Sequence, residues 1–151
     1  IAAGFGQVTA LRASVAGAEG GCQAEVGSAS AMAASAAVEL FGGTPRQCMD
    51  AASFAMVNIL GLVCDPIGGL VENPCQNRNA MGASNALISA ELSLAGVKSI
   101  TPIDETIGVM YAVGRSIPSE LRETSLGGMA VAKSACENCM ACANKRNKMK
   151  K

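Results

Sequence analysis

The 151-residue chain has no histidine and no tryptophan, and it holds one tyrosine and three phenylalanines. Without histidine, the side chain that most often moves protons near neutral pH is missing from these residues. Aromatic residues make up 3% of the chain, so alanine, methionine, valine, leucine and isoleucine must fill any core. Lysine plus arginine and aspartate plus glutamate both number 12, which excludes a global basic field for nucleic acid. A hydrophobic share of 50% excludes a chain too polar to fold. The longest apolar run, Phe54 to Cys64, is broken by Asn58 and falls short of the roughly 20 residues that span a bilayer. No membrane segment is expected, no valine- and threonine-rich alternation argues for a sheet, and no internal repeat stands out. Ile1 is not followed by a charged region and an apolar core, so nothing resembles a secretory signal; a fragment or trimmed subunit is expected.

What remains reads as helices separated by loops. Thr44-Pro45-Arg46-Gln47 offers an N-cap threonine, a proline at the first helical position and a glutamine placed to close a capping box. Behind it Cys48, Ala51, Ala52, Ala55, Met56, Ile59, Leu62 and Val63 recur at three- and four-residue steps, with Phe54, Val57 and Leu60 widening the face. That helix should be central. Others are predicted from about Glu25 to Phe41, ending at Gly42-Gly43, and from about Asn79 to Ala95. Thr101-Pro102 repeats the cap logic ahead of a face formed by Ile103, Ile107, Met110, Tyr111 and Gly114, and residues before Gly17 suit one more helix. The expected fold is all-α, a compact multi-helix domain with its cysteine-bearing loops at helix ends.

Seven cysteines supply the chemistry. The count is odd, and three fall in Cys136-x2-Cys139-x2-Cys142 near the end, so metal binding in a reducing compartment explains them better than disulfides. Cys22, Cys64 and Cys75 each sit in a glycine- or proline-bearing turn: Glu19-Gly20-Gly21-Cys22, Cys64-Asp65-Pro66-Ile67-Gly68-Gly69 and Asn73-Pro74-Cys75. Three thiolates from separate loops suit an inorganic cluster with one metal corner left open as a Lewis acid. Taken on spacing alone, structural burial and zinc stay open beside it. Cys48, on an apolar helical stripe, reads as a small buried hydrophobe. The tail triplet lacks the spacer, fourth cysteine and proline of a ferredoxin run, and the basic stretch Lys145 to Lys151 reads as a solvated end.

Ala16 to Ser30, Gly61 to Glu72, Pro74 to Asn79, Asn85 to Ala90, Gly114-Arg115-Ser116, Glu120 to Thr124 and Leu126-Gly127-Gly128 together resemble the catalytic alpha chain of the iron–sulfur-dependent L-serine dehydratases, across roughly residues 1 to 133. The resemblance implies that Cys22, Cys64 and Cys75 ligate a [4Fe–4S] cluster, with Cys136, or else Cys139 or Cys142, as a tail ligand that occupies the fourth iron in the resting site. It implies residues 1–133 as the catalytic iron–sulfur domain, the C-terminal part of an alpha chain, and 134–151 as a cysteine-containing basic tail. The reaction implied is non-redox elimination, L-serine to pyruvate and ammonia through aminoacrylate, in amino-acid degradation. The resemblance implies a base supplied from elsewhere, the family's β chain or domain carrying a Ser-Ser-His-Thr-type segment that is missing from these residues, so the chain should be incomplete without that partner region and an upstream alpha segment. A cytoplasmic oligomer acting on L-serine, with no nucleic acid and no membrane, is expected.

Ser28 and Ser30 open a predicted helix, where free N–H groups suit a substrate carboxylate or the serines simply cap. Arg78 and Asn79 follow Cys75 closely enough to face the same cavity, although Arg78 equally suits a surface ion pair. Asn85 completes the substrate candidates, and Glu19 and Glu25 flank Cys22 as caps or proton relays. Two other readings compete: a small zinc- or cluster-binding module with a structural or electron-transfer role, and a helical assembly subunit whose thiols are buried.

Overall fold

The computed structural model describes residues 1–138, and every regular element among them is helical. Helix α1 spans Ala2–Arg12, α2 Gly17–Gly20, α3 Ser28–Leu40, α4 Pro45–Asn58, α5 Cys75–Leu94, α6 Ile103–Ser116 and α7 Lys133–Asn138. A π turn at Gln23–Gly27 runs directly into α3, and 3₁₀ turns lie at Ile67–Gly69, Ser119–Leu121 and Gly128–Val131. The one extended pairing among the described residues is an isolated parallel bridge between Cys64 and Arg122. The all-α expectation holds, and no described helix is long and apolar enough to cross a membrane.

Local chemistry sets several boundaries where the sequence places them. Thr44 Oγ1 accepts from the Gln47 N–H at 3.3 Å while Gln47 Oε1 accepts from the Thr44 N–H at 2.9 Å, so the capping box closes with Pro45 at the first position of α4. Gly43 N–H donates to Val38 O at 2.8 Å and ends α3. Elsewhere the chain departs from expectation. Helix α5 starts at Cys75, not Asn79, because the Gln76 and Arg78 N–H groups already bond Glu72 O and Pro74 O at 3.0 Å. Pro102, not Thr101, caps α6, and no side chain bonds there; the Thr101 carbonyl instead accepts from the Ser53 and Ser99 hydroxyls. Tyr111 is exposed, one step around the helix from the buried Ile107 and Met110. Helix α4 ends at Asn58, so Leu62 and Val63 lie in the loop beyond it, and Val57 and Leu60 face outward.

Helices α3, α4 and α5 form the centre, with α1 and α6 packed on them. Their shared core is largely alanine, including Ala24, Ala31, Ala34, Ala51, Ala52 and Ala55, with Val38, Met56, Ile103, Ile107 and Met110 as the larger side chains. Alanine buries little area, so hydrogen bonds carry more of the specification. Asn85 Nδ2 donates to Ser30 Oγ and to Ala55 O at 2.9 Å, and its Oδ1 accepts from Asn58 Nδ2 at 2.8 Å. Ser30 Oγ in turn donates to Gly82 O at 2.8 Å. One buried amide therefore ties α3, α4 and α5 together.

Residues 117–131 form a strap laid over the loop that follows α4. Cys64 N–H donates to Leu121 O at 2.8 Å, Glu123 N–H donates to Cys64 O at 2.7 Å, and Ser125 Oγ donates to Pro66 O at 2.6 Å. Met129 N–H donates to Asp65 Oδ2 at 2.6 Å. Gly128 makes that approach feasible: its φ is +61°, and a Cβ there would stand 2.2 Å from Asp65 Oδ2. Only glycine meets both demands.

Asn85→Ala is expected to cost about 2 kcal/mol, as for a buried polar group whose partners are left unpaired; urea denaturation measures it. Gly128→Ala is expected to lift the strap, with a loss of roughly 2 kcal/mol from the strained φ and the clash. Trypsin should then cleave at Arg122 faster than in the parent chain.

Candidate functional site

Cys22, Cys64 and Cys75 come from three separate segments, and all three are buried free thiols. Cys22 begins the helical run after the Gly20-Gly21 turn. Gly21 has φ +77°, and a Cβ there would lie 2.7 Å from Leu62 O, so the turn bearing Cys22 and the loop bearing Cys64 pass in close contact only because that side chain is absent. The Cys22 and Cys64 thiols hydrogen-bond to each other and pack with Val26 and Ile59. Cys75, the first residue of α5, is near enough to act electrostatically on both. Gly17 borders the group from α2: a Cβ there would lie 3.1 Å from Cys64 Sγ and 3.3 Å from Glu25 Oε2.

Charge enters through Arg78, one turn along α5 from Cys75. Its Nη1 lies 2.9 Å from Val63 O, 2.5 Å from Asp65 Oδ1 and 3.9 Å from Cys22 Sγ. Asp65 is the buried carboxylate that also receives the strap at Met129. Burial works against the Arg78 charge, but Asp65 and the Cys22 sulfur outweigh it and push the guanidinium above its ordinary value. The Cys64 hydrogen bond, opposed by burial and aided by Arg78, draws the Cys22 thiol down from 9.0 to about 7. Donating that bond pushes Cys64 up, and burial, reinforced by negative charge at Cys22 and Glu25, pushes Cys75 up. Cys22 is thus the thiol of the three that gives up its proton most readily near neutrality.

The remaining candidates divide by position. Ser28 is not at a free helix terminus: the chain is already helical from Cys22, and the Ser28 N–H bonds Glu25 O. Its hydroxyl is buried with no hydrogen-bond partner among the described residues. Ser30 and Asn85 are engaged in the ties between α3, α4 and α5. Asn79 Nδ2 donates to Cys75 O at 2.9 Å, and Asn79 lines a cavity of about 200 Å³ with Val26, Ser30 and Gly82. Glu19 and Glu25 are exposed, and the Glu19 carbonyl accepts from Arg122 at 3.4 Å. Cys48 is buried in the core between α4 and its neighbours, beside a cavity of about 440 Å³ that none of the candidate residues lines. Cys139 and Cys142 lie outside the described residues, as does the side chain of Cys136. Among the described residues no group of three or more cysteine, aspartate or glutamate side chains is set to hold a metal ion.

Sequence reasoning missed Asp65 and Gln23. Asp65 stands beside Cys64 and before Pro66, where it reads as an ordinary turn residue. Gln23, next to Cys22, is 1% exposed, although an unpaired glutamine amide belongs on the surface. The partners that hold each of them inside are remote in sequence: Arg78 and Met129 for Asp65, Gly61 and Met110 for Gln23.

Known proteins share this sequence at length. The "L-serine dehydratase, alpha chain" of Peptoniphilus asaccharolyticus is 60% identical over 130 residues, covering 86% of this chain and 44% of that protein. A Bacillus subtilis protein named "Probable L-serine dehydratase, alpha chain" is 59% identical over 129 residues, covering 85% of this chain and 43% of its own length. The "L-serine dehydratase" of Mycobacterium tuberculosis is 48% identical over 132 residues, 28% of its length. The chain thus spans less than half the length of each of these relatives. The profile of the family described as "Serine dehydratase alpha chain" matches residues 1–130, and the chain belongs to that family.

Proposed function

We propose that this chain is the cysteine-bearing part of an L-serine ammonia-lyase that holds a [4Fe–4S] cluster through Cys22, Cys64 and Cys75, with Cys136 of the tail occupying the fourth iron only in the resting site. The observation that carries the reading is the gathering of three buried thiols from three separate segments, with the Arg78 guanidinium 3.9 Å from Cys22 Sγ and acting on Cys75 as well. The donor set fits the group: all three are sulfur, one is already drawn toward thiolate, and Gly17 leaves Cys64 Sγ open on one side. Sulfurs that bind separate irons of one cluster need not converge on a single point, as the ligands of one ion must.

When bound, the cluster would supply a Lewis acid that polarises the substrate's oxygen. The chain's own residues do the rest of the holding. Arg78, fixed by Asp65, offsets the negative charge that thiolates bring into a buried site. Arg78, Asn79 and the unpartnered Ser28 hydroxyl are the proposed contacts for L-serine, while Ser30 and Asn85 act from behind by keeping α3 and α5 in register. No histidine is present to take the α-proton, so the base comes from the β chain or domain that the name alpha chain of the relatives implies. A cytoplasmic oligomer completes the proposal.

Anaerobic reconstitution with and without the β region, followed by iron, sulfide and pyruvate assays, tests this. Serine at Cys22, Cys64 or Cys75 should each abolish cluster retention and activity, whereas Cys48→Ala should keep the cluster and cost stability only. If all three ligand variants keep cluster and turnover, the assignment fails. Asp65→Asn is expected to destabilise the protein by roughly 3 kcal/mol, because it leaves Arg78 uncompensated, and to hasten iron loss measured by chelator capture. Unchanged iron release in that variant would separate Arg78 from the cofactor.

A further inference from the structure

Gln23 is buried to 1% exposure, and its amide is fully used. Nε2 donates to Gly20 O and to Met110 O, each at 2.9 Å, and Oε1 accepts from the Gly61 N–H at 2.9 Å. The Gln23 backbone N–H donates to Leu62 O at 2.9 Å. Two carbonyls on one side and an N–H on the other leave a single orientation of the amide that satisfies all partners. The four bonds join the turn before Cys22, the middle of α6 and the segment that enters Cys64. Gln23 also opens the π turn, an irregularity that helices keep where a local displacement is needed.

We propose that Gln23 is the positioning residue of the site: its amide sets the register between the two turns that deliver Cys22 and Cys64, and so fixes the separation of their sulfurs. This rests on reading those cysteines as ligands of one cofactor. The amide cannot be replaced by a near relative. Asparagine is one methylene short of bridging Gly61 to Met110, and glutamate turns an oxygen toward two carbonyl oxygens. Either change leaves buried backbone groups unpaired exactly between the two cysteine turns, and those turns must shift to recover partners.

The test uses the full 151-residue chain, metal-free and reduced, with dibromobimane, a reagent that bridges neighbouring thiols; mass spectrometry counts the Cys22–Cys64 bridged peptide. Gln23→Asn and Gln23→Glu should lower the bridged yield about tenfold, the population change that accompanies loss of one buried hydrogen bond. Ser53→Ala, which removes a buried hydroxyl bonded to Thr101 O at the start of α6, should lower the melting temperature but leave bridging intact. Wild-type bridging in the folded Gln23 variants, or an equal loss in Ser53→Ala, overturns the proposal. Should the Gln23 variants fail to fold, hydrogen exchange on the parent chain decides: the Gly61 N–H should be protected like a helical amide, and exchange at the rate of an open loop overturns the tie. A parent chain that bridges but takes up no iron or sulfide even with the β region present would sink the cofactor reading alone.

Discussion

The loop from Gly61 to Pro66 has almost no hydrogen bonds of its own, and the site depends on the partners it borrows. Buried backbone groups must be paired. Here Gly61 N and Leu62 O are paired by Gln23, Val63 O by Arg78, Cys64 N and O by Leu121 and Glu123, and Pro66 O by Ser125. The lenders come from three parts of the chain: the π turn at Gln23, α5 at Arg78 and the strap at Leu121, Glu123 and Ser125. The position of the Cys64 sulfur is therefore an average over the whole domain's geometry, not a property of its own turn.

That arrangement suits an alanine-rich core. Small side chains let α3, α4 and α5 approach closely but give limited apolar burial, so directional bonds at Asn85, Ser30, Ser53 and Gln23 decide how the helices meet. Polar ties serve both regions: Asn85 joins α3, α4 and α5, Gln23 joins α6 to the loop before Cys64, and Arg78–Asp65 joins α5 to the loop that carries Cys64.

Legibility followed distance along the chain. The capping box at Thr44, the glycine stop at Gly43 and the buried stripe from Cys48 to Ile59 are local, and all could be read directly. So could the turns around Cys22, Cys64 and Cys75, because glycine and proline mark them. The start of α5 was missed because the residues after Pro74 carry no strong periodicity, and the Ser28 terminus was misread because a π turn leaves no compositional trace. The strap, the inward turn of Gln23 and the burial of Asp65 arise from pairings between remote residues, which no single-sequence pattern encodes. Family resemblance named the cysteines; it did not say what holds them.

The parallel bridge between Cys64 and Arg122 gives this domain a timetable. Contacts that close long stretches of chain form late, because the entropy of closure comes before its reward. The helix pairs α3–α4 and α4–α5 are neighbours in sequence and can meet early, whereas the cysteine loop is finished only after the strap has been synthesised and laid down. A chain that ends before the strap would keep the Gln23 tie between the two turns but would leave the Cys64 N–H and carbonyl without their partners.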